Sequence, residues 1–503
     1  MAATQRLSLR ALGLLPEAAR PLLDPRGLSV GIVHLGVGAF HRAHQAVYTE
    51  AASQLTGEQR WAICGVSERS PAAAEALAAQ DGLYSVLVAG QPSVPSSVRV
   101  VASMRETMFA LASPAELVSR LADPAVKVVT LTVTEKGYRH NLATRQLPST
   151  DQELLADAAG RPPQTVLGQL VRGFEARRRA NAGPLTVISC DNIPSNGPLL
   201  KSLTEQLLSW PSSRFDDGLA EWATDNVSFP ATMVDRIVPA TTGHWRDEVE
   251  KHLGLRDEAP VVTEPFSQWV IEDRFAADRP AWELAGAQLV PDVVPYEALK
   301  LRALNGAHSA LAHLGVLAGC ETIPEALSRP GFEALVRQML DREVAPTLVL
   351  PPGTDFASYR ESVLERFANT ALPYRCLQVA MDGSQKLPQR VLGTVRDRLA
   401  AGEIPNVAVL VVAAWLRAIW AGHDDTGRKV ELSDPLSGPL GQALATMTEP
   451  ARVVERALQL QQVFGQDLAE EERFKAALTE ALSSLTNNGT ASTVAAMAGA
   501  SNG

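Results

Sequence analysis

Only four cysteines, Cys64, Cys190, Cys320 and Cys376, occur in 503 residues, far apart and without a paired spacing. That excludes a disulfide scaffold and a structural zinc motif, and it fits a reducing, cytoplasmic setting. Surplus positive charge is also missing. The 46 Lys and Arg against 56 Asp and Glu leave a formal charge of -10, so no broad basic surface for nucleic acid or anionic lipid is expected, only at most a local pocket for one small anion. Long apolar runs are absent as well. The strongest, residues 407–416, is followed at once by Arg417 and falls well short of the roughly 20 residues that span a bilayer; it reads as a buried helix. The first residues break their apolar stretches with Arg, Glu and Pro, unlike the core of a secretory signal. No nucleic-acid or membrane partner is expected.

What is present is apolar material, 46% of the chain, enough for large cores and more than one ordinary domain needs. The first half alternates β-branched runs with helical stretches, the pattern of a parallel sheet built from βαβ units. Strands are expected at 30–35, 61–66, 126–134 and 185–189, nearly all apolar as befits strands covered on both faces. Helices are expected at 71–79 and 115–121, and 83–88 with 98–101 read as an antiparallel flap. From about Tyr296 onward Ala/Leu-rich amphipathic segments dominate, separated by turns such as Pro351-Pro352-Gly353, so this part should be mostly helical. The boundary falls near 280–295, giving domains 1–285 and 286–503. Residues 487–503, rich in Gly, Ala, Ser and Asn, read as a frayed tail.

A glycine-rich turn, Gly36-Val37-Gly38-Ala39-Phe40-His41, follows the first expected strand and precedes a helical segment, 41–52. Glycines there allow a tight turn and close approach of a pyrophosphate to a helix start. The third glycine of the usual dinucleotide fingerprint is replaced by His41. After the second strand, Glu68 offers an acceptor for ribose hydroxyls, which points to NAD, whereas its neighbour Arg69 would suit a 2′-phosphate. NAD is favoured over NADP.

Near the boundary comes Tyr296-Glu297-Ala298-Leu299-Lys300, then Asn305 and His308. On an α-helix Asn305 and His308 share a face, and Lys300 and His308 differ by about 80° in azimuth, a gap the lysine stem can close. A partly buried lysine whose pKa is lowered by desolvation serves as base for an alcohol or acid for a ketone. An amide at Asn305 donates to a forming alkoxide, and a neutral His308 orients its neighbours. Tyr296-x-x-x-Lys300 imitates the Tyr/Lys pair of short-chain dehydrogenases but lies beyond the dinucleotide half, so Lys300 and not Tyr296 is assigned the proton. Further polar residues follow buried strands: Asp191, Asn192 and Asn196, and Asp235-Arg236. The carboxyl ends of parallel strands are where such folds place ligands.

Several blocks in order carry a resemblance: 33–48, Leu131-Thr-Val-Thr134-Glu135-Lys-Gly-Tyr138, Ser189-Cys-Asp-Asn192, 229–239, Glu264-Pro-Phe266 and 300–309. Over nearly its whole length the chain resembles the long-chain, polyol-specific mannitol dehydrogenase family. The resemblance implies an α/β N-terminal Rossmann-like domain, a mostly α-helical C-terminal domain, a substrate cleft between them, and no metal. It implies Lys300 as acid/base, Asn305 with Asn192 or Asn196 at the oxyanion, Glu297 on a proton path, and Asp235, His308 and Lys386 at the substrate. Val37, Ala39, Phe40, Thr134 and Glu135 join Gly36, Gly38 and Glu68 as the implied cofactor site. Gln378-Val-Ala-Met-Asp-Gly-Ser-Gln-Lys386-Leu-Pro-Gln-Arg390 looks like the fructuronate reductase (D-mannonate oxidoreductase) branch, for which Arg375 or Lys386 would meet the sugar-acid carboxylate. The position of Gln378 tends to be arginine in mannitol 2-dehydrogenases. The expected reaction is therefore reversible NAD-dependent reduction of D-fructuronate to D-mannonate. The alternatives are a mannitol 2-dehydrogenase interconverting fructose and mannitol, or a related polyol or hexuronate dehydrogenase, and, in a different class, a dinucleotide-binding sensor without turnover, the last disfavoured because a pure binder needs no Lys300.

Overall fold

The computed structural model describes residues 5–90, 95–141, 144–372 and 374–499, and the chain divides into two compact units, Met1–Val293 and Val294–Gly503.

In the first unit the continuous apolar runs become parallel strands. Six of them, β1 (Val30–Leu35), β2 (Ala62–Ser67), β5 (Met104–Phe109), β6 (Val128–Leu131), β7 (Leu185–Ser189) and β8 (Val227–Ser228), form one sheet. Its order is β5-β2-β1-β6-β7-β8, with every neighbouring pair parallel. Every residue of β1, β2, β6 and β7 is buried, which is why their sequences do not alternate. The chain leaves β1 toward β2 on one side, while β6 lies on the other. This reversal opens a crevice beyond the carboxyl ends of β1 and β6.

The flap expected from 83–88 and 98–101 is an antiparallel pair, β3 (Tyr84–Val88) with β4 (Ser97–Val101), to which β10 (Val261–Thr263) adds in parallel. A third sheet, β12-β11-β9, joins Gln288–Val290, Gln268–Glu272 and Thr232–Asp235. One expected element is broken. The single helix 41–52 is two, α1 (Ala39–Ala43) and α2 (Gln45–Thr56), bent at His44, where φ is -126° and ψ -89°. The bend is tertiary in origin: His44 Nε2 is 2.9 Å from the Gln268 carbonyl, a contact that helix propensity does not encode.

The named elements of the second unit are all helices among its described residues, joined by loops that form isolated bridges between Thr322 and Arg375 and between His423 and Lys429. The apolar run 407–416 lies in the helix Asn406–Ala421, where every residue from Val407 to Ala418 is buried; among the described residues no helix is long and apolar enough to cross a membrane. The start of this helix has no side-chain cap of its own. Its first N–H groups are met instead by Glu343, whose two oxygens each accept one bond, from Val407 N and Ala408 N, both at 2.8 Å. The residues expected to fray, 487–503, include the helix Thr490–Gly499, which buries Thr490, Thr493 and Val494. One face of this helix is buried and the rest is exposed or half-buried, so the composition does not by itself mean a loose chain; residues 500–503 lie outside the described residues.

Burial pushes the Glu343 carboxyl up to about 7. A carboxyl raised above its unfolded value favours the fold most when protonated, so its contribution is full below about pH 4.3 and declines as pH rises toward 7. Glu343→Ala should lower stability by about 2–3 kcal/mol, since two buried N–H groups lose their acceptor. Urea midpoints at pH 5 and pH 8 check both points: the fall in midpoint should be smaller in Glu343→Gln than in the natural protein.

Candidate active site

Gly36 directly follows β1, and its φ of +95° and position rule out any side chain: a Cβ there would stand 2.2 Å from the Thr132 carbonyl oxygen. The turn therefore presses directly on the loop after β6. Gly38 follows as the residue that caps the start of α1. Beyond these strand ends lies a cavity of about 580 Å³, lined by Gly36, Val37, Gly38, Glu68, Arg69, Thr134, Lys136 and Arg139 among others, a size that suits a small-molecule ligand. Of the cofactor residues expected from sequence, Ala39 and Phe40 open α1 and Glu135 lies in the short helix Thr134–Gly137; these three are outside the described lining of the cavity.

Glu68 is half buried. Its Oε2 accepts a hydrogen bond from Gln169 Nε2 at 2.9 Å, while Oε1 is buried and has no partner. Burial raises its carboxyl to about 7. Arg69, beside it, is exposed.

Thr134 takes φ +63°, a left-handed conformation that costs free energy outside glycine and persists only when its surroundings enforce it. Asp191, just beyond β7, provides the enforcement. Its carboxylate accepts from Thr134 N at 2.8 Å, Val133 N at 3.1 Å and the Tyr138 hydroxyl at 2.9 Å. Burial raises Asp191 to about 6 despite these donors. Asp191 and Tyr138 thus lock together two of the blocks singled out in the sequence, a role that sequence reasoning missed; the only signal was an acid directly following a buried strand.

The two candidate asparagines occupy different settings. Asn192 is exposed on the loop after β7. Asn196 is 1% exposed; its Nδ2 donates to the carbonyls of Asp191 and Thr232 at 3.1 and 3.0 Å, and its Oδ1 accepts from Thr232 N at 3.0 Å. Asn196 thereby ties the start of the helix Asn196–Leu208 to β9, the strand that ends at buried Asp235.

In the second unit the helix Val294–Leu299, which carries half-buried Tyr296 and Glu297, runs into a π-helix, Lys300–Asn305, and then into the α-helix Gly306–Leu317. The α-helical spacing assumed from sequence is therefore corrected. A π-helix bonds i to i+5, so Lys300 and Asn305 stand one widened turn apart, and both are buried. The wide turn is packed tightly from outside: a Cβ on Gly306 would meet the Arg390 carbonyl oxygen at 2.9 Å.

His308 lies one turn further on, stacked on Phe367 with ring centroids 4.9 Å apart and edge-on to Tyr374 at 5.7 Å. Burial first, then the nearby Arg390, Arg366 and Lys386, pull its pKa down to about 3, so the ring is neutral. Arg390 Nη1 donates to Ser309 Oγ at 3.3 Å, and that hydroxyl donates to the Asn305 carbonyl at 2.9 Å. Lys386 Nζ reaches the Val379 carbonyl at 3.5 Å. Arg375 and Gln378, on the cap and body of the helix Cys376–Ala380, are exposed. Arg366 and Arg390 were given no role from sequence, because nothing in their spacing reports that they converge on His308. Arg302, by contrast, pairs with Asp397 and the Thr347 carbonyl. Among the described residues no three His, Cys, Asp or Glu side chains are grouped as a metal ion would need.

Comparison with known proteins follows this division of the chain. The model of the mannitol dehydrogenase Rossmann domain matches residues 30–284, and that of the mannitol dehydrogenase C-terminal domain matches 292–486. D-mannonate oxidoreductase of Escherichia coli is 40% identical over 95% of this chain and 98% of its own length. Mannitol 2-dehydrogenase of Pyrenophora tritici-repentis is 37% identical over 97% of this chain and 85% of its own. Among solved structures, the mannitol 2-dehydrogenase of Pseudomonas fluorescens in a ternary complex with NAD and D-mannitol superposes with a TM-score of 0.89 at 35% identity, covering 98% of this chain and 99% of that one. With a Rossmann-type parallel sheet in one unit, a helical second unit and matches along nearly the whole length, the chain belongs to the mannitol dehydrogenase family and is an oxidoreductase.

Proposed function

We propose that the protein is an NAD-dependent, metal-independent dehydrogenase that reversibly reduces D-fructuronate to D-mannonate. The observation that carries the sugar-acid reading is that Arg366, Lys386 and Arg390 all lie near enough to the buried His308 for their positive charge to oppose its protonation, with Arg390 held one residue away on Ser309. A carboxylate is the substrate group for which such a cluster is worth most, because charge-assisted hydrogen bonds to it are strong. Gln378, uncharged in this sequence, adds to the preference, as does the D-mannonate oxidoreductase relative. Mannitol 2-dehydrogenase is the second reading, favoured by the likeness to the NAD and D-mannitol complex.

The Gly36–Gly38 turn and Glu68 would hold the cofactor. The buried, unpartnered Glu68 Oε1 is an acceptor suited to a ribose hydroxyl and ill suited to a 2′-phosphate, which supports NAD over NADP. When bound, NADH supplies the hydride that adds to the ketone carbon. The chain's part is to place the ketone and move one proton. In this reading the Lys300 ammonium gives its proton to the ketone oxygen, and Asn305 with an amide of the Asn192/Asn196 turn donates hydrogen bonds to that oxygen as charge builds on it. His308, neutral, orients the substrate; Asp235 and Lys386 bind it, and Glu297 returns a proton to Lys300 from solvent. A spectrophotometric panel of fructuronate, tagaturonate and fructose with NADH and NADPH tests the whole reading, and no oxidation of either cofactor with any of them would overturn it.

Lys300→Ala should lower kcat by orders of magnitude and leave NADH affinity nearly unchanged, whereas Tyr296→Phe stays active. A dead Tyr296 variant beside a working Lys300 variant would transfer the proton to the tyrosine.

Lys386→Met and Arg390→Met should each raise KM for fructuronate about 10- to 150-fold more than KM for fructose, the equivalent of about 1.5–3 kcal/mol for a charge-assisted bond. Arg375→Met, at an exposed position, should shift the ratio by no more than about threefold. Equal losses on both substrates would leave the uronate reading without its basis.

The raised Glu68 carboxyl gives a pH signature. It ionises near 7, and the ionised form accepts more hydrogen bonds, so NADH should bind more tightly at pH 8.5 than at pH 6. Titrations of Glu68→Gln at both values should show that difference lost.

A further inference from the structure

The third glycine of a dinucleotide fingerprint serves close packing between helix and strand, yet this chain puts an imidazole there. His41, 1% exposed, lies flat on His34 of β1, itself fully buried; the ring centroids are 3.3 Å apart and the planes 11° from parallel. A flat ring on a flat ring is the thinnest contact two side chains of this size can make. Neither nitrogen of His41 makes a hydrogen bond of good geometry, although the Gln45 amide lies close by, so polar bonding alone does not explain its presence.

His34 is bonded at both nitrogens. Nδ1 is 2.7 Å from Thr130 Oγ1; Nε2 is 3.0 Å from the Gly36 carbonyl and 2.9 Å from Thr132 Oγ1. A carbonyl only accepts, so Nε2 carries the proton and Nδ1 accepts from the Thr130 hydroxyl. The Gly36 carbonyl also accepts from Thr132 Oγ1 at 2.8 Å and from Gly38 N at 2.6 Å. Three donors thus hold that oxygen. Were it free to turn into the cavity, its negative end would meet phosphate oxygens. Burial keeps His34 neutral, with a pKa of about 3, and holds His41 well below its usual value. Two uncharged rings stack without repulsion.

We propose that His34 and His41 form an imidazole pair that positions the Gly36–Gly38 turn for the cofactor's pyrophosphate, in place of the missing third glycine. This rests on the cofactor reading given above. His34 and His41 are positioning residues: His34 acts through the Gly36 carbonyl, and His41 acts by fixing the plane of His34.

Fluorescence titration of the full-length protein with NADH, together with kcat at saturating NADH, tests the pair. His34→Phe keeps the stack and loses the donor; its Kd should rise about tenfold, the value of one hydrogen bond, with kcat within about threefold. His34→Gln retains a donor and should recover most of the affinity. His41→Ala should raise Kd at least threefold. A merely structural role would reduce the number of titratable sites and leave Kd as it is. If His34→Phe fails to fold, Thr132→Val decides with the same readings, because it removes another donor from the Gly36 carbonyl with little change of volume. Normal binding by the natural protein with Kd unchanged in these variants overturns the pair alone; no binding of NADH or NADPH by the natural protein overturns the cofactor reading and the pair with it.

Discussion

The closeness of Gly36 to the Thr132 carbonyl is the constraint on which the first unit's site depends. With no room for a Cβ, the turn after β1 and the loop after β6 share one wall, and they do so where the strand order reverses. A parallel sheet offers a ligand crevice at such a place because successive connections depart to opposite sides. Bringing the two loops into contact turns that crevice into a bounded cavity. Asp191 then fixes the far side of the same wall by holding Val133, Thr134 and Tyr138 together.

The second unit solves a different problem, that of keeping a lysine and an amide inside an apolar helical core. The π-helix is central to it. Its widened turn places Lys300 and Asn305 at adjacent levels, and the segment that carries Arg390, itself a π-helix from Pro388 to Leu392, packs against its end at Gly306. π-turns are rare relative to α-turns and are frequent at functional sites. The hydroxyl of Ser309 links the two, donating to Asn305 and accepting from Arg390.

Much of the fold was legible in the residues. Strands buried on both faces must be apolar without alternation, and β1, β2, β6 and β7 read directly for that reason. The antiparallel pair β3 and β4 was readable from two short apolar runs. The break at His44 was not, because both flanking segments are good helix and the bend answers to Gln268, more than two hundred residues away. The π-turn at Lys300 was equally hidden: hydrogen-bond register leaves no trace in hydrophobic periodicity. The described part of the tail, 487–499, is helical rather than frayed, because glycine, alanine and serine serve loose chains and helix packing alike; residues 500–503 lie outside the described residues. Of the site, the glycine turn and the lysine stretch were visible as motifs. The supporting residues, Asp191, His34, Arg366 and Arg390, were not, since each acts through a neighbour distant in sequence.

The helix Asn406–Ala421 carries a consequence for how the chain is born. It is apolar all round and is covered in large part by Glu472–Asn488, which is synthesised afterwards. At roughly 5–20 residues per second on the ribosome, the earlier helix waits several seconds for its cover. During that interval a stretch such as Val407–Ala418 is open to chaperones that bind exposed apolar segments, so the yield of folded protein in a cell depends on the pace of translation between these two helices as well as on the stability of the finished molecule.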